Sequence, residues 1–469
     1  MKKDILKKFD RKKQLMVSPF ALALSACGGG GGEKSELTPS LSPVRRIDPT
    51  NDDLIDMVTS GSYYRSSEST PIFYGLAHGH YGEQWENPEE VAKVLQDVMS
   101  EFPKYADIDL EYAGIFASPN AASDAGVSVI MSFDNIIFKQ GGSTSNWHVF
   151  YPHADDNDYG VKQIGGDLYL NFHGPIWKAN SQADFEDILT QNDVAKAMIL
   201  NGMSNTLGLK GTYHKTSERP EISETEFADN SEDYTYSVSH IPNDTLSDDV
   251  GNTLGIYDIL GLVYLYGPAT NVNVGDSFYD LSDAAAYTVI SDSAGNDTVS
   301  FSSTSRDVYI ALSDFKLTHS LYTPLVDLHV GGGAINYGTP TEIEIGFIGN
   351  IENITTGSGD DWVITNASDN VIKAGAGDDL IILSEGADII YGGSGADRFV
   401  AQFVGGDLNY IAKNTIIKDF EIGVDSLEVT DGSSELVYSR NSDGYALYTN
   451  DAGVNVVLEG VEGNILMIA

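Results

Sequence analysis

The sequence predicts two folded parts in series: an α+β domain over residues 54–268, then an all-β domain, a parallel β-roll or sandwich, over residues 269–469. Three observations carry this. Before residue 270, apolar residues at helical spacing alternate with short strand-like runs. After it the helical spacing disappears, and Gly, Asp, Asn and Ser separate short β-branched runs. Residues 356–400 then divide into five consecutive nonapeptides: TGSGDDWVI, TNASDNVIK, AGAGDDLII, LSEGADIIY and GGSGADRFV. The 469 residues suffice for two or three domains, and 41% hydrophobic against 20% charged residues is a globular balance.

The N-terminus reads as an export signal. A basic stretch, MKKDILKKFDRKKQ, precedes an apolar run over residues 15–26 that is too short to span a bilayer. The run ends Leu24-Ser25-Ala26-Cys27, which resembles the lipobox of bacterial lipoproteins. That resemblance implies residues 1–27 as signal, acylation of Cys27 and an outer-membrane anchor; an ordinary secretory signal with a chance cysteine and a poorly ordered N-terminal extension are the alternatives. Cys27 is the single cysteine, so no internal disulfide can form. Residues 28–53, rich in Gly, Ser, Pro and charge, read as a linker.

In the α+β part, Asn87-Pro88-Glu89-Glu90 predicts a helix start with Asn87 as N-cap and Pro88 at the first position. Val91, Val94, Leu95, Val98 and Phe102 keep helical spacing up to Pro103. Strands are expected over 108–113, 126–133, 147–151 and 167–172. A second helix is expected over 192–207, burying Ala195, Met198, Ile199 and Met203 and ending at Gly208, where positive φ is needed.

In each nonapeptide the glycines permit tight turns, and the eighth residue (Val363, Ile372, Ile381, Ile390, Phe399) should point into the interior. The sixth is Asp361, Asn370, Asp379, Asp388 or Asp397. Stacking these turns brings like charges together, which is unfavourable unless a cation lies between them. Calcium, a hard ion taking oxygen ligands, fits, so metal binding should be coupled to folding. An outlying copy of the pattern occupies residues 292–300. Overall, 69 acidic against 27 basic residues give a net charge of −42, which repels phosphate backbones and anionic lipid headgroups. Nucleic-acid binding is excluded, and membrane association is expected only through Cys27.

The repeat resembles the calcium-binding β-roll of RTX proteins. That resemblance implies ions between turns eighteen residues apart, pairing Asp361 with Asp379, Asp379 with Asp397, and Asn370 with Asp388. Carbonyls around Gly357, Gly359, Gly375, Gly377, Gly393 and Gly395 would complete the coordination. The Asn370 pair lacks one carboxylate and its repeat lacks glycines, which predicts a weaker site.

The whole arrangement resembles the secreted bacterial serralysin-type metalloproteases, whose metzincin-like protease domain precedes such a roll. Residues 55–61, 72–75, 166–171 and 256–267 resemble that family's protease framework, and Lys418-Asp419-Phe420-Glu421-Ile422-Gly423-Val424-Asp425 resembles its DFxxGxD segment. The family's zinc helix reads HExxHxxGxxH. Here the segment is NGMSNTLGLKG, which puts Asn201, Asn205 and Gly211 at the ligand positions and Gly202 at the general base. The family's MSY turn appears as Val238-Ser239-His240, with His240 at the tyrosine position. Amide oxygens are weak zinc ligands and glycine offers no side chain, so zinc is not expected. Gly202 cannot activate water. A rebuilt site would have to draw on His214, His240 or the His78/His80 pair.

The expected function is that of an exported calcium-binding pseudo-protease: a monomer that binds a polypeptide or glycan in the protease-like cleft, extracellular or anchored to the outer membrane. An active zinc metalloendopeptidase with an atypical site, and a structural or adhesive surface protein, are the alternatives. The apolar ending over residues 464–469 is also compatible with one-step export through a C-terminal signal.

Overall fold

The structure is a computed structural model of the chain. It describes, with short gaps, residues 44–46, 59–133, 147–149, 166–210, 254–282, 288–312, 333–336, 343–429 and 435–465. Cys27, Gly211, His214 and the 238–240 turn lie outside the described residues, as does His80.

Strands β1 (Val44–Arg46) and β2 (Ser62–Tyr64) form an antiparallel pair. A five-stranded sheet follows, built from β3 (Ile72–Ala77), β4 (Leu110–Phe116), β5 (Val129–Phe133), β6 (Trp147–Val149) and β7 (Asp167–Leu170). Its order is β4-β3-β5-β7-β6, parallel except for the antiparallel edge strand β6. The helices are α1 (Pro88–Met99), α2 (Pro119–Asp124), α3 (Gln182–Gln191), α4 (Asp193–Thr206) and α5 (Ile256–Tyr266). The N-terminal part is therefore mixed α and β.

Helix α1 buries Val91, Val94, Leu95 and Val98, and α4 buries Ala195, Met198, Ile199 and Met203, as their spacing predicts. Gly208 follows α4 with φ +108°. One expectation needs correction, and one element has no counterpart in the sequence reading. The Asn87 side chain does not cap α1. The buried Glu186 carboxylate instead accepts the N–H groups of Glu86 (2.8 Å) and Asn87 (2.7 Å), pinning the chain as it enters the helix. Glu186 lies on α3, which sequence reasoning missed: the polar run Gln182, Glu186, Asp187 and Gln191 obscures its apolar contacts Phe185 and Leu189.

After α5, all regular structure among the described residues is β. One nine-stranded sheet contains β8 (Phe278–Asp280), β10 (Thr298–Ser300), β14 (Asn353–Thr355), β16 (Val371–Lys373), β18 (Ile389–Tyr391), β21 (Thr415–Ile417) and β25 (Asn455–Leu458) in parallel. Strands β24 (Ala446–Thr449) and β23 (Val437–Arg440) extend it antiparallel. The facing sheet holds β9 (Thr288–Ser291), β11 (Val308–Ala311), β12 (Gly333–Asn336), β13 (Ile343–Ile348), β15 (Trp362–Ile364), β17 (Leu380–Ile382), β19 (Arg398–Gly405) and β20 (Leu408–Ile411), with β22 (Ser426–Val429) beside β19.

Successive strands alternate between the sheets, so parallel partners are eighteen residues apart: Trp362 pairs with Leu380, Leu380 with Arg398, and Val371 with Ile389. This is a roll. The eighth-position residues Val363, Ile372, Ile381, Ile390 and Phe399 are all fully buried in the core between the sheets. At roughly 1.5–3 kcal/mol for each fully buried large apolar side chain, this stripe is the main hydrophobic support of the repeats.

Candidate functional site

Residues 201–210 are the end of α4, which packs against β6 and β7, and the turn after it. Asn201 and Asn205, one turn apart, bond to each other, Asn205 Nδ2 donating to Asn201 Oδ1 at 3.1 Å. A Cβ placed on Gly202 would lie 2.7 Å from both Cδ atoms of the buried Leu168 on β7. The Gly202 position is thus closed by the sheet. Leu207 and Leu209 are buried, and the Gly208 carbonyl accepts the Ser60 N–H at 2.7 Å. Of the histidines considered for a rebuilt site, His78 is described. Its Nδ1 accepts the Trp85 backbone N–H at 3.0 Å, so that ring nitrogen is engaged within the fold.

One further buried acid lies on β7. Asp167 accepts the Tyr169 hydroxyl at 2.9 Å, and its Oδ1 is buried without a hydrogen-bond partner among the described residues. Burial pushes its carboxyl up to about 8, the Tyr169 bond opposing only in part.

In the roll, the predicted residues come together as their spacing requires. Asp361 N–H donates to Asp379 Oδ1 (2.7 Å), Asp379 N–H to Asp397 Oδ1 (3.0 Å), and Asn370 N–H to Asp388 Oδ1 (3.0 Å). The sixth-position side chains are all buried. The second oxygens of Asp379, Asp388 and Asp397 have no hydrogen-bond partner among the described residues. Burial is the largest cause raising these carboxyls, to about 8 at Asp379, 7 at Asp388 and 6 at Asp397 and Asp361. Buried, partnerless carboxylate oxygens in stacked turns are the arrangement a hard cation satisfies.

The glycines act as expected at four positions. Gly375, Gly377, Gly393 and Gly395 have positive φ, and a Cβ on Gly393 or Gly395 would lie 1.9 Å from the carbonyl oxygen of Gly375 or Gly377. Gly357 and Gly359 differ. Neither has positive φ, but a Cβ there would meet the Thr304 and Arg306 carbonyls at 2.1 and 2.4 Å, so close approach is what excludes a side chain. The Asn370 amide is fully engaged, donating to Glu352 O (2.9 Å) and Asn366 Oδ1 (3.0 Å) and accepting from Asn366 N–H (3.2 Å). Only Asp388 contributes an unsatisfied oxygen at that pair.

Sequence reasoning missed a second group upstream. Asp297, in the outlying repeat, accepts the Ser277 N–H at 2.8 Å and donates its own N–H to Glu352 at 2.7 Å. Asp292 accepts the Tyr279 hydroxyl at 2.6 Å. Asp292 Oδ1 and Asp297 Oδ2 are both buried and partnerless among the described residues, and Asp297 is pushed up to about 6, first by burial and then by Asp292 and Glu352. The recurrence of the pattern at residues 292–297 was the available signal. Glu352, more than fifty residues on, could not be joined to it by spacing. The DFxxGxD segment closes the other end: Asp419 accepts both the Gly392 (2.9 Å) and Gly393 (3.0 Å) N–H groups, and Asp425 that of Asp397 (3.0 Å).

Among the described residues no group of three or more His, Cys, Asp or Glu side chains converges as a metal site. Apart from the Asn370 turn, each nonapeptide brings one buried sixth-position carboxylate, and carboxylate oxygen is a ligand suited to calcium.

Comparison with known proteins agrees with this chemistry. Residues 355–385 and 375–401 match the RTX calcium-binding nonapeptide repeat. Serralysin of Proteus mirabilis is 27% identical over 193 residues, 37% of this chain and 36% of the relative, so the chain spans about a third of that relative's length. Among solved structures, the AlgE6R3 subunit of the Azotobacter vinelandii mannuronan C5-epimerase is 25% identical over 23% of this chain and 65% of its own, with a TM-score of 0.14.

Proposed function

We propose that this chain, a serralysin-type RTX protein, is an exported calcium-binding protein whose protease-like domain binds a ligand and does not cut it. The roll would hold calcium between turns eighteen residues apart, through Asp361, Asp379, Asp388 and Asp397 and the carbonyls around Gly357, Gly359, Gly375, Gly377, Gly393 and Gly395. The buried carboxylates at Asp292 and Asp297 support a further ion upstream. When bound, calcium supplies positive charge between carboxylates that otherwise repel. The chain itself supplies the spacing, the dry surroundings and the turn shape. Extracellular calcium, at millimolar levels, would fill even the weaker sites.

The observation that carries the non-catalytic reading is Gly202 packed against Leu168. A general base must reach a water from this position. Here there is no side chain, and the space it would enter is filled. The neighbouring amides bond to each other, and neutral amides are poor zinc ligands. The protease-like cleft would then hold a polypeptide or glycan by shape and sheet-edge hydrogen bonding, which needs no metal. Secretion by way of a lipidated Cys27 or a C-terminal signal belongs to the same proposal, and mass spectrometry of the mature N-terminus separates the two.

The test is metal analysis of purified protein together with casein cleavage, with and without a zinc chelator. The reading expects calcium, no stoichiometric zinc and no cleavage. Chelator-sensitive proteolysis abolished by substituting His214 or His240 would replace it with an active protease using a rebuilt site.

A further inference from the structure

Beside the sixth-position bonds, a second set joins one turn to the next through the neighbouring fifth-position amides. Asp307 Oδ1 accepts the N–H of Asp360 at 2.8 Å, Asp360 Oδ1 that of Asp378 at 2.9 Å, and Asp378 Oδ1 that of Ala396 at 2.9 Å. The opposite edge of the roll repeats this: Asp276 accepts from Asn296 at 3.0 Å and Asp369 from Ala387 at 2.7 Å. All five carboxylates are exposed. Here an upstream carboxylate receives a downstream amide. At the sixth position the direction is reversed, a downstream carboxylate receiving an upstream amide. Neighbouring turns are thus tied by two opposed bonds on adjacent residues. The fifth-position row ends where that position is alanine, at Ala387 and Ala396.

We infer that Asp307, Asp360, Asp369 and Asp378 are positioning residues for calcium, setting the shape of the turns that hold the ion without touching it. The inference rests on the calcium reading above. Calcium affinity depends on ligand charge and on the rigidity of the cage. A turn whose two consecutive amides are both held loses less freedom when the ion enters, so less of the binding energy is spent on ordering. The edge carrying Asp361, Asp379 and Asp397 has three consecutive fifth-position bonds from Asp307 to Ala396. The edge carrying Asn370 and Asp388 has two separate ones, Asp276–Asn296 and Asp369–Ala387, and only the second lies within the nonapeptides. The first edge therefore fills at lower calcium than the second.

Calcium titration of the full chain, with bound ions counted by equilibrium dialysis, tests this. Asp378→Ala, which removes the acceptor, should raise the calcium needed for half-loading about fivefold, the effect of one lost hydrogen bond. Asp378→Asn, which keeps an acceptor oxygen, should stay within about twofold of the parent. Both should bind the parent's number of ions. If Asp378→Ala fails to fold, Asp307→Ala, which opens only the first rung, reads the same effect. An unchanged half-loading concentration in the alanine variants would overturn the inference. So would equal damage from Asp378→Asn, which would assign the effect to charge, or a missing ion, which would make Asp378 a ligand. A parent chain that binds no calcium would overturn the calcium reading itself, and this inference with it.

Discussion

Asp379 receives the backbone N–H of Asp361 on one carboxylate oxygen at 2.7 Å, while its other oxygen is buried with no hydrogen-bond partner among the described residues. The carboxylate is half committed to the fold and half reserved. Because Asp379 lies between Asp361 and Asp397 in the stack, it would serve two ions. Asp379→Asn should therefore cost more bound calcium than Asp388→Asn, which affects the Asn370 pair. Equilibrium dialysis against calcium measures the difference.

Gly377→Ala should destabilise the roll without touching any carboxylate. The φ of +125° disfavours any side chain, and the new Cβ would lie 2.1 Å from the Gly359 carbonyl oxygen. The backbone conformation alone costs roughly 1–3 kcal/mol. Urea denaturation in saturating calcium should show the loss, with a matching rise in the calcium required for folding.

Gly202→Glu restores the side chain that the serralysin-type pattern has at this position, and should not restore proteolysis. The Cβ must displace Leu168, and a carboxylate enters an apolar contact, so a destabilisation of about 2 kcal/mol or more is expected. Thermal unfolding and casein cleavage measured together check both halves.

Asp167 gives the N-terminal domain an unusual pH dependence. Its carboxyl rises from 3.8 to about 8 on folding, so between those values the folded state keeps a proton that the unfolded state has lost. That contribution is complete at pH below 3.8 and declines as pH rises towards 8, by up to about 1.4 kcal/mol per pH unit. Asp167→Asn, always neutral, should flatten the decline. Denaturant unfolding at pH 5 and pH 8 measures it.

Glu186→Ala removes the acceptor for two backbone N–H groups at the entry to α1. Leaving them unpaired should cost roughly 1–3 kcal/mol, read as a lower denaturation midpoint.

The parts of this molecule that were legible in its sequence are those governed by short periods. The nonapeptide spacing identified the inward Val363, Ile381 and Phe399 and the stacked Asp361, Asp379 and Asp397. The 3.6-residue spacing identified α1 and α4. What escaped was set by contacts between distant segments. Nothing local to Asn87 reveals that Glu186, about a hundred residues on, takes over its role, and Glu352 joins Asp297 across more than fifty residues. The fifth-position aspartates were in plain view but had no meaning until the turns were stacked, because each bond joins one turn to the next. The glycine at position 202 is plain in the sequence, yet its closure by Leu168 depends on how the sheet sits on the helix.

The most direct measurement is hydrogen exchange over residues 356–400 in the full chain, with millimolar calcium and with calcium chelated. The account predicts strong amide protection in calcium and its loss on chelation, as the buried carboxylates of Asp379, Asp388 and Asp397 are left without their counter-charge. Equal protection in both conditions would contradict it.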